Sequence, residues 1–295
     1  MRIFYSNITY GCNSNCVFCY SHNTRHNGCT YNEIDVNDFL NYLNNQNICV
    51  EDRVIVNGGE PCLHSQIEYM LCELDKIGCE VLIYTNGRLI NKLPKEILSS
   101  RMRFVVPIHG YRELHEKITG VIGSYDETIR GLEWITAPDS KCLADVKIVI
   151  NSDMVDGELD KVIDSLKDVP LNHAVHITKM ADTIISKRNN CKSVDNVSAA
   201  EGTKRLFDYY YGRYKIKIFD SCVKKLGDLF PTKLEYQYDE LKVFFKDWSK
   251  EFEVDLEKPK LECYLNCENR DACLSAVGEY IALEIDTDKV SIGLE

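Results

Sequence analysis

The feature that most restricts the fold of this chain is a regular alternation between short apolar segments and longer amphipathic ones. Strand-type segments lie at residues 3–9, 53–57, 80–84, 102–108, 145–150 and 174–178. Helix-type segments lie between them, at 36–44, 65–77, 94–99, 125–135 and 158–166. This alternation is typical of a parallel sheet covered by helices. Six such units are too few to close an eight-stranded barrel, so the sequence predicts an α/β fold built on a partial (β/α)6 barrel.

The pattern changes after about residue 200. The later segments are a tyrosine-rich helix, a short strand, a second amphipathic stretch and a closing hairpin, at 203–214, 215–219, 234–252 and 280–292. Aromatic residues recur at helical spacing in the second amphipathic stretch, which predicts a helix packed on the core. We therefore expect a TIM-type partial barrel over residues 1–200 and a small C-terminal α+β domain over residues 201–295.

The composition of the chain restricts its possible functions more than it restricts its fold. The net charge is −11, from 35 Lys and Arg against 46 Asp and Glu, and no stripe of cations is present that would neutralise a phosphate backbone. A nucleic-acid partner is therefore not expected, and a peptide or a small molecule is the expected substrate. No apolar run approaches the roughly 20 residues that span a bilayer, and the first residues do not form a signal peptide. We expect a cytoplasmic protein without a membrane partner.

The chain has 14 cysteines, and in a reducing compartment clustered cysteines indicate metal more often than disulfides. Cys12, Cys16 and Cys19 are separated by three and then two residues. Three thiolates on one loop can ligate three irons of a [4Fe–4S] cube and leave the fourth iron for a substrate or cofactor. A zinc ion is the main alternative, and His22 is the nearest side chain that would complete its tetrahedral set.

A second motif follows the strand-type segment 53–57, where the chain reads Gly-Gly-Glu-Pro. Glycines let a backbone approach a ligand closely, and a carboxylate accepts charge-assisted hydrogen bonds from an ammonium group. Together with the cysteine spacing and the aromatic Phe18 before the third cysteine, this motif resembles the radical S-adenosylmethionine (SAM) superfamily. The resemblance implies that the cofactor-binding positions are Gly58, Gly59, Glu60, Pro61, Thr85, Asn86, His109 and Asn151.

Some of these positions have a structural alternative. An Asn at a strand end commonly forms a turn, which is the alternative for Asn151. His109 and the nearby His115 are also compatible with purely structural roles. Cys62, next to the Gly-Gly-Glu-Pro turn, is either close to the site or a bystander thiol.

The resemblance also implies a mechanism. SAM would chelate the open iron through its amino and carboxylate groups, and one electron from the reduced cluster would cleave its sulfonium. The products would be methionine and a 5′-deoxyadenosyl radical that abstracts a hydrogen atom from substrate, while the protein supplies orientation and dryness. An electron donor such as flavodoxin or ferredoxin is the implied protein partner.

A second group of cysteines lies in the last third of the chain, at Cys222, Cys263, Cys267 and Cys273. Four thiolates from two separated loops can enclose an auxiliary [4Fe–4S] cluster or a structural zinc. The arrangement resembles the abbreviated auxiliary-cluster domain of radical SAM enzymes, called a twitch domain, rather than the longer SPASM version. Cys191 is a possible substitute for Cys222 or a fifth cysteine of the group.

Three functions remain open from the sequence. The first is maturation of a ribosomally made peptide, and because a strand begins at residue 3 we expect no N-terminal leader-binding domain. The second is modification of a small molecule or nucleotide, with a layout similar to the molybdenum-cofactor cyclase, in which Arg88, Arg101 and Arg103 are available to bind phosphates. The third is a non-catalytic iron–sulfur or zinc scaffold, which does not account for the Gly-Gly-Glu-Pro turn.

Overall fold

The structure is a computed structural model. It describes residues 2–19, 33–155, 158–180, 189, 191 and 194–219, and the backbone of three further strands at 242–247, 250–252 and 283–285.

Strands and helices alternate through the first 219 residues. The strands are β1 (Arg2–Thr9), β2 (Arg53–Gly58), β3 (Glu80–Tyr84), β4 (Met102–Pro107), β5 (Leu143–Ile150), β6 (Ala174–Lys179), β7 (Lys215–Phe219), β8 (Lys242–Asp247), β9 (Lys250–Phe252) and β10 (Leu283–Ile285). The helices are α1 (Val36–Asn45), α2 (Ile67–Ile77), α3 (Arg112–Thr119), α4 (Ser124–Thr136), α5 (Ser152–Val155), α6 (Leu159–Ser165) and α7 (Asn196–Tyr210). None of the helices in these ranges is both long enough and apolar enough to cross a membrane.

All ten of these strands belong to one sheet, in the order β10-β7-β6-β5-β4-β3-β2-β1-β8-β9. Strands β1 to β7 lie side by side in chain order and every neighbouring pair among them is parallel. The predicted α/β partial barrel is therefore present, and β7 and β8 add two parallel strands to the six expected. Both strands lie in the part of the chain for which the sequence predicts a separate C-terminal domain, because the pattern changes shortly before β7.

The C-terminal third contributes to both edges of this sheet. β8 pairs parallel to β1, β9 pairs antiparallel to β8, and β10 pairs antiparallel to β7. The prediction of a helix over 234–252 is wrong for the described part of that range, which forms the strands β8 and β9. Its run of Val and Phe has high strand propensity, and pairing with the edge of β1 satisfies the backbone of both strands. The boundary predicted at residue 200 lies within α7 and stays a prediction.

The two faces of the sheet differ in character. Side chains alternate between faces along a strand, so Phe4 and Ile8 of β1 pack with the helices in the main apolar core. Ile3 and Tyr5 point to the opposite, inner face and pack with Ile55 and Leu82. The main core holds the outer helices in place, and the inner face is the concave side of the partial barrel.

Local signals explain where several helices begin. The Asp35 side chain accepts hydrogen bonds from the N–H groups of Asn37 and Asp38 and so caps α1. Asp195 caps α7 in the same way, through the N–H groups of Val197 and Ser198. The helix predicted at 94–99 is a single 3₁₀ turn, Lys95–Ile97.

Candidate active site

The cysteine loop, residues 10–19, lies at the carboxyl edge of the sheet, where the active sites of such folds gather. It leaves β1 after Thr9 and is fixed on one side by the end of α3. The N–H groups of Asn15 and Val17 donate to the carbonyls of Thr119 (2.8 Å) and Ile118 (2.9 Å). Two backbone hydrogen bonds therefore hold this side of the loop against α3.

The other side of the loop is fixed by the glycine turn after β2. The N–H of Gly59 donates to Thr9 O, and the N–H of Glu60 donates to Gly11 O, each at 2.7 Å. A Cβ atom at Gly58 would collide with the Thr9 carbonyl, one at Gly59 would collide with the Gly11 carbonyl, and Gly58 has a φ of +143°. The sequence pattern predicts that a ligand approaches these glycines closely. In the structure the group that approaches them is the backbone of the cysteine loop.

Glu60 links the glycine turn to the end of β3. Its side chain is fully buried and accepts hydrogen bonds from Thr85 Oγ1 (2.6 Å), from the N–H of Asn86 (2.7 Å) and from the N–H of Cys62 (3.0 Å). Burial raises the pKa of Glu60, and these three donors act in the opposite direction. The carboxylate therefore joins two turns that both border the cysteine loop, a contact that the sequence pattern did not reveal.

Asn86 and Arg88 complete the support of the loop. Asn86 Nδ2 donates to Asn13 Oδ1 (2.6 Å) and lies 4.0 Å from the Cys12 sulfur. The Arg88 guanidinium donates to the Asn13 carbonyl and pairs with Glu127 of α4. Arg88, a candidate phosphate ligand in the sequence analysis, is therefore used to position the cysteine loop.

The thiols of Cys12, Cys16 and Cys19 are half-buried on this loop. Within the described ranges no group of three or more His, Cys, Asp and Glu side chains is placed to hold a single metal ion. A lone zinc needs such a closed set, whereas a cube of four irons takes one thiolate at each corner. Three half-buried thiols on one anchored loop fit the cluster. His22, the extra ligand of the zinc alternative, lies outside the described residues.

His109 follows the end of β4 by two residues and contacts Phe18 of the cysteine loop. It is 3% exposed, and its ring meets Phe18 edge to face with the centroids 5.3 Å apart. The backbone N–H of His109 donates a hydrogen bond to His115 Nδ1 (3.3 Å). Burial lowers the pKa of His109 well below its usual value, and His115 and Lys147 lower it further. Burial also lowers the pKa of His115, to about 4, and the charge of Arg88 adds to this effect. Both imidazoles are therefore neutral at pH 7.

Some buried polar atoms near this edge have no hydrogen-bond partner within the part of the chain that the structure describes. They are His109 Nδ1, His115 Nε2 and Asn151 Oδ1. Asn151 directly follows β5, is 1% exposed, and its carbonyl accepts from the N–H groups of Met154 and Val155 in α5. It therefore forms a turn and also presents a buried amide oxygen. Unpaired buried polar atoms are costly, so they favour a bound polar ligand.

Cys62 lies next to Glu60 and Thr85. Its sulfur is 3.8 Å from Thr85 Oγ1, and burial, with the neighbouring Glu60 charge, raises its pKa well above the usual value. Cys62 is thus a protonated thiol, which disfavours it as an iron ligand because ligation requires the thiolate.

Other predicted groups do not converge on this edge. Arg101 donates to the Gly78 carbonyl, and Arg103 pairs with Glu80, so both arginines have local partners. Cys191 is half-buried with its sulfur 3.5 Å from that of Met180. The predicted ligands of the second cluster, Cys222, Cys263, Cys267 and Cys273, lie outside the described residues.

Comparison with known proteins adds a family to this geometry. Residues 6–142 match the family described as the Radical SAM superfamily. The matched range is a little under half of the chain, and it includes the cysteine loop and the glycine turn, the two motifs that resemble this superfamily.

Individual relatives are more distant. Fe-coproporphyrin III synthase of Methanosarcina barkeri is 22% identical over 226 residues, which cover 73% of this chain and 55% of the relative. A probable GTP 3′,8-cyclase of Pyrobaculum aerophilum is 33% identical over 124 residues, which cover 41% of this chain and 39% of the relative.

Solved structures confirm the fold. Streptococcus suis SuiB bound to S-adenosylmethionine superposes with a TM-score of 0.61 at 17% identity, over 78% of this chain and 53% of SuiB. SuiB bound to its precursor peptide SuiA gives a TM-score of 0.57 at 16% identity, over 80% of this chain and 53% of SuiB. The α/β partial barrel is therefore similar in fold to the corresponding part of SuiB. The chain spans about half the length of SuiB and of the synthase, at 53% and 55%.

Proposed function

We propose that this protein reductively cleaves SAM and uses the resulting radical to abstract a hydrogen atom from a substrate. The observation that carries the proposal is the cysteine loop, whose backbone is pinned by both the glycine turn and the end of α3. Cys12, Cys16 and Cys19 are the proposed ligands of the cluster. When bound, the cluster and SAM together supply one-electron cleavage of the sulfonium, which yields methionine and a 5′-deoxyadenosyl radical.

The residues of this chain have separate proposed roles. Gly58, Gly59, Glu60 and Pro61, with Thr85 and Asn86, set the position of the loop and border SAM. His109 and Asn151 each present a buried polar atom that the bound cofactor would satisfy. His109 is neutral, so it orients by hydrogen bonding rather than by charge. Burial of the site excludes water from a reactive radical.

An auxiliary [4Fe–4S] cluster is the second part of the proposal. Its ligands are Cys222, Cys263, Cys267 and Cys273, in a twitch-type arrangement. Four thiolates would leave no open iron, which favours electron transfer over direct substrate coordination. The electron donor to the protein is a flavodoxin or ferredoxin, and the compartment is the cytoplasm, where thiols stay reduced.

Anaerobic reconstitution tests both clusters. The wild-type protein should bind about eight irons, as two [4Fe–4S] clusters, and form 5′-deoxyadenosine when reduced with SAM. Replacing Cys12, Cys16 and Cys19 with Ala should remove about four irons and abolish SAM cleavage. Replacing the four C-terminal cysteines should remove the other four. The matched control Cys72→Ala, a half-buried thiol of α2, should retain the full iron content. A reconstituted, reduced wild-type protein that never cleaves SAM would refute the enzymatic proposal.

The proposed substrate is a ribosomally made peptide. SuiB, whose solved structure contains a precursor peptide, supports this class through its shared fold. Modification of a small molecule is the second candidate, because the 33% identical relative is described as a probable GTP 3′,8-cyclase and the 22% identical relative as an Fe-coproporphyrin III synthase.

Deuterium transfer distinguishes the two classes. The reduced holoenzyme would be incubated with deuterated peptides encoded beside its gene and, separately, with deuterated GTP. Deuterium in 5′-deoxyadenosine identifies the class that donates the hydrogen atom. Transfer from GTP alone would overturn the peptide proposal.

A further inference from the structure

The carboxyl half of β1 carries two buried polar atoms on opposite faces of the sheet. Ser6 Oγ and Asn7 Oδ1 are both buried, and neither has a hydrogen-bond partner within the part of the chain that the structure describes. Side chains alternate between faces along a strand, so Ser6 shares a face with Ile8 of the main core, and Asn7 shares the inner face with Tyr5. Ser6 is fully enclosed, whereas Asn7 is half-buried and is reachable from the concave side of the barrel.

The neighbouring strand gives the same orientation for Asn7. Asn7 is in register with Asn57 of β2, and side chains opposite one another on neighbouring strands share a face. The Asn57 side chain donates a hydrogen bond to the Tyr5 hydroxyl. Tyr5 packs with Ile55 and Leu82 on the inner face. Asn7 therefore lies on the inner wall of the barrel, above an apolar part of that wall.

A β-bulge directly follows Asn7. The register of β1 and β2 shifts between Asn7 and Thr9, and Thr9 is opposite Gly58. Bulges redirect side chains and are common at the rims of barrels and next to active sites. Gly58 begins the glycine turn, in which the N–H of Gly59 donates to the carbonyl of Thr9. Asn7 is thus the last inner-face side chain of β1 before the bulge and the turn that hold the cysteine loop.

This part of the inner wall is uncharged. Residues 5–9 and 54–58, in the carboxyl halves of β1 and β2, include no Asp, Glu, Lys, Arg or His. Arg53, at the amino end of β2, pairs with Glu80. These two segments therefore offer no cation to an anionic group, and a neutral N–H donor is the group that matches the Asn7 oxygen. A buried carbonyl oxygen without a partner is costly, and a bound donor removes that cost.

We propose that Asn7 is a substrate-binding residue whose side-chain oxygen accepts a hydrogen bond from an uncharged amide N–H of the substrate. A carboxamide has both an acceptor and donors, so Asn7 is suited to an amide, which has the same two functions. Such an amide occurs in a peptide chain and in the base of a guanine nucleotide, and matched probes separate these two sources. The inference rests on the proposed function in taking the inner face as the substrate side, and it specifies the substrate group.

Ligand-observed NMR titration of the oxidised, reconstituted holoenzyme with SAM tests the site. N-methyl phenylacetamide represents the peptide amide and is compared with its ester, methyl phenylacetate. Guanosine represents the base amide and is compared with purine riboside, which lacks that amide. At least one amide probe should bind roughly two- to tenfold more tightly than its analogue, as one neutral hydrogen bond supplies. Asn7→Leu, which is close in size, should remove this preference, and the probe affected identifies the source.

Ser6→Ala is the matched control, because it also removes a buried oxygen of β1 that has no partner in the described part of the chain, but on the core face. It should keep the preference for the amide probe. Neither Ser6→Ala nor Asn7→Leu should lower the melting temperature or the iron content, because neither oxygen accepts a hydrogen bond from the described residues. Asn7→Ala repeats the measurement with a smaller side chain.

The site would be overturned if neither amide probe were preferred by the wild-type protein, or if Ser6→Ala lost the preference as Asn7→Leu does. Weaker SAM binding in Asn7→Leu would assign the residue to the cofactor, and a loss of stability in both Asn7 variants would assign it a structural role; either result also overturns the inference. Binding is measured without reductant. A protein that prefers the amide probe but forms no 5′-deoxyadenosine when reduced would therefore defeat the proposed function alone.

Discussion

At the scale of single residues, the buried polar groups of the site divide into those that are satisfied and those that are not. Glu60 has three protein donors, so its place is fixed before any cofactor binds. His109 Nδ1 and Asn151 Oδ1 have no partner in the described part of the chain. The first kind of residue builds the site, and the second kind is available to a ligand.

Glu60→Gln should be strongly destabilising. Whichever way the glutamine amide is oriented, its NH₂ group faces the N–H of Cys62 or of Asn86 and leaves that donor unsatisfied in a buried place. The expected loss is about 1–3 kcal/mol in the free energy of unfolding, measured by urea denaturation of the reduced apoprotein. Glu68→Gln, at an exposed position of α2, is the control and should change stability by less than about 0.5 kcal/mol. Equal effects of the two substitutions would contradict the role given to Glu60.

His115 should make stability depend on pH. Its pKa is about 4 in the folded protein against 6.5 for the free side chain, because the ring is buried. The unfolded chain therefore takes up a proton that the folded protein does not, and stability falls as pH drops from about 6.5 towards 4. His115→Phe should reduce the slope between pH 6 and 4.5 by about 1.4 kcal/mol per pH unit. Urea unfolding at several pH values measures this.

Tyr125→Phe is the control for this experiment. Tyr125 packs edge to face against His115, with the centroids 5.7 Å apart, and its own pKa is raised from 10.0, outside the acid range. The slope should therefore match that of the wild-type protein. A His115→Phe variant with an unchanged slope would show that His115 is protonated in the folded state.

At the scale of elements, the site depends on how α4 packs against the turn after β3. Thr128 Oγ1 donates to the Asn86 carbonyl (2.9 Å), and Glu127 pairs with Arg88. Gly131 lies one turn further along α4, and a Cβ atom there would collide with the Gly87 carbonyl. The close contact between helix and turn holds Asn86 and Arg88 against the cysteine loop.

Gly131→Ala should therefore destabilise the protein and impair SAM cleavage, although Ala is the better helix former. Overpacking of this kind costs roughly 1–3 kcal/mol. Gly202→Ala in α7 is the matched control, because its Cβ would meet Val155 at an ordinary 3.4 Å. That variant should be neutral or gain up to about 1 kcal/mol from helix propensity. Melting temperature and the rate of 5′-deoxyadenosine formation measure the two effects, and a stabilised Gly131→Ala would contradict the tight packing.

At the scale of the whole molecule, the two edges of the parallel sheet are covered by strands from the last third of the chain. β8 lies beside β1, with Ile3 in register with Val243, and β10 lies beside β7. Exposed strand edges present unpaired backbone groups that promote association. The C-terminal third therefore helps to complete the barrel sheet, in addition to carrying the proposed second cluster.

Truncation after Phe219 should accordingly cause self-association and a lower melting temperature, because the outer edges of β1 and β7 lose their partners. A chain ending at Ile285 retains β8, β9 and β10 and is the control. Size-exclusion chromatography with light scattering measures the mass of each form. A stable monomer of the shorter chain would show that both edges are self-sufficient.

Sequence alone determined the class of the fold and the identity of the chemical groups. Segments with a strand-type hydrophobic pattern alternate with segments of helix-type pattern, and this order predicts a parallel sheet covered by helices. The two patterns are distinguishable because side chains repeat every two residues in a strand and about every 3.6 residues in a helix. The cysteine spacing and the Gly-Gly-Glu-Pro turn are local patterns, so they are readable along the chain. Their placement after β1 and β2 also follows, since carboxyl ends of parallel strands share one edge.

Only the tertiary structure decided which distant groups meet. Arg88 holds the Asn13 carbonyl, Glu60 joins the end of β3, and β8 pairs with β1 rather than forming a helix. Each of these contacts joins segments far apart in sequence, and neither propensity nor spacing encodes such a partner. The same holds for Lys147 of β5 and His176 of β6, which become neighbours only through strand register. Register depends on the packing of the whole sheet, because a shift of one residue would move every side chain to the other face.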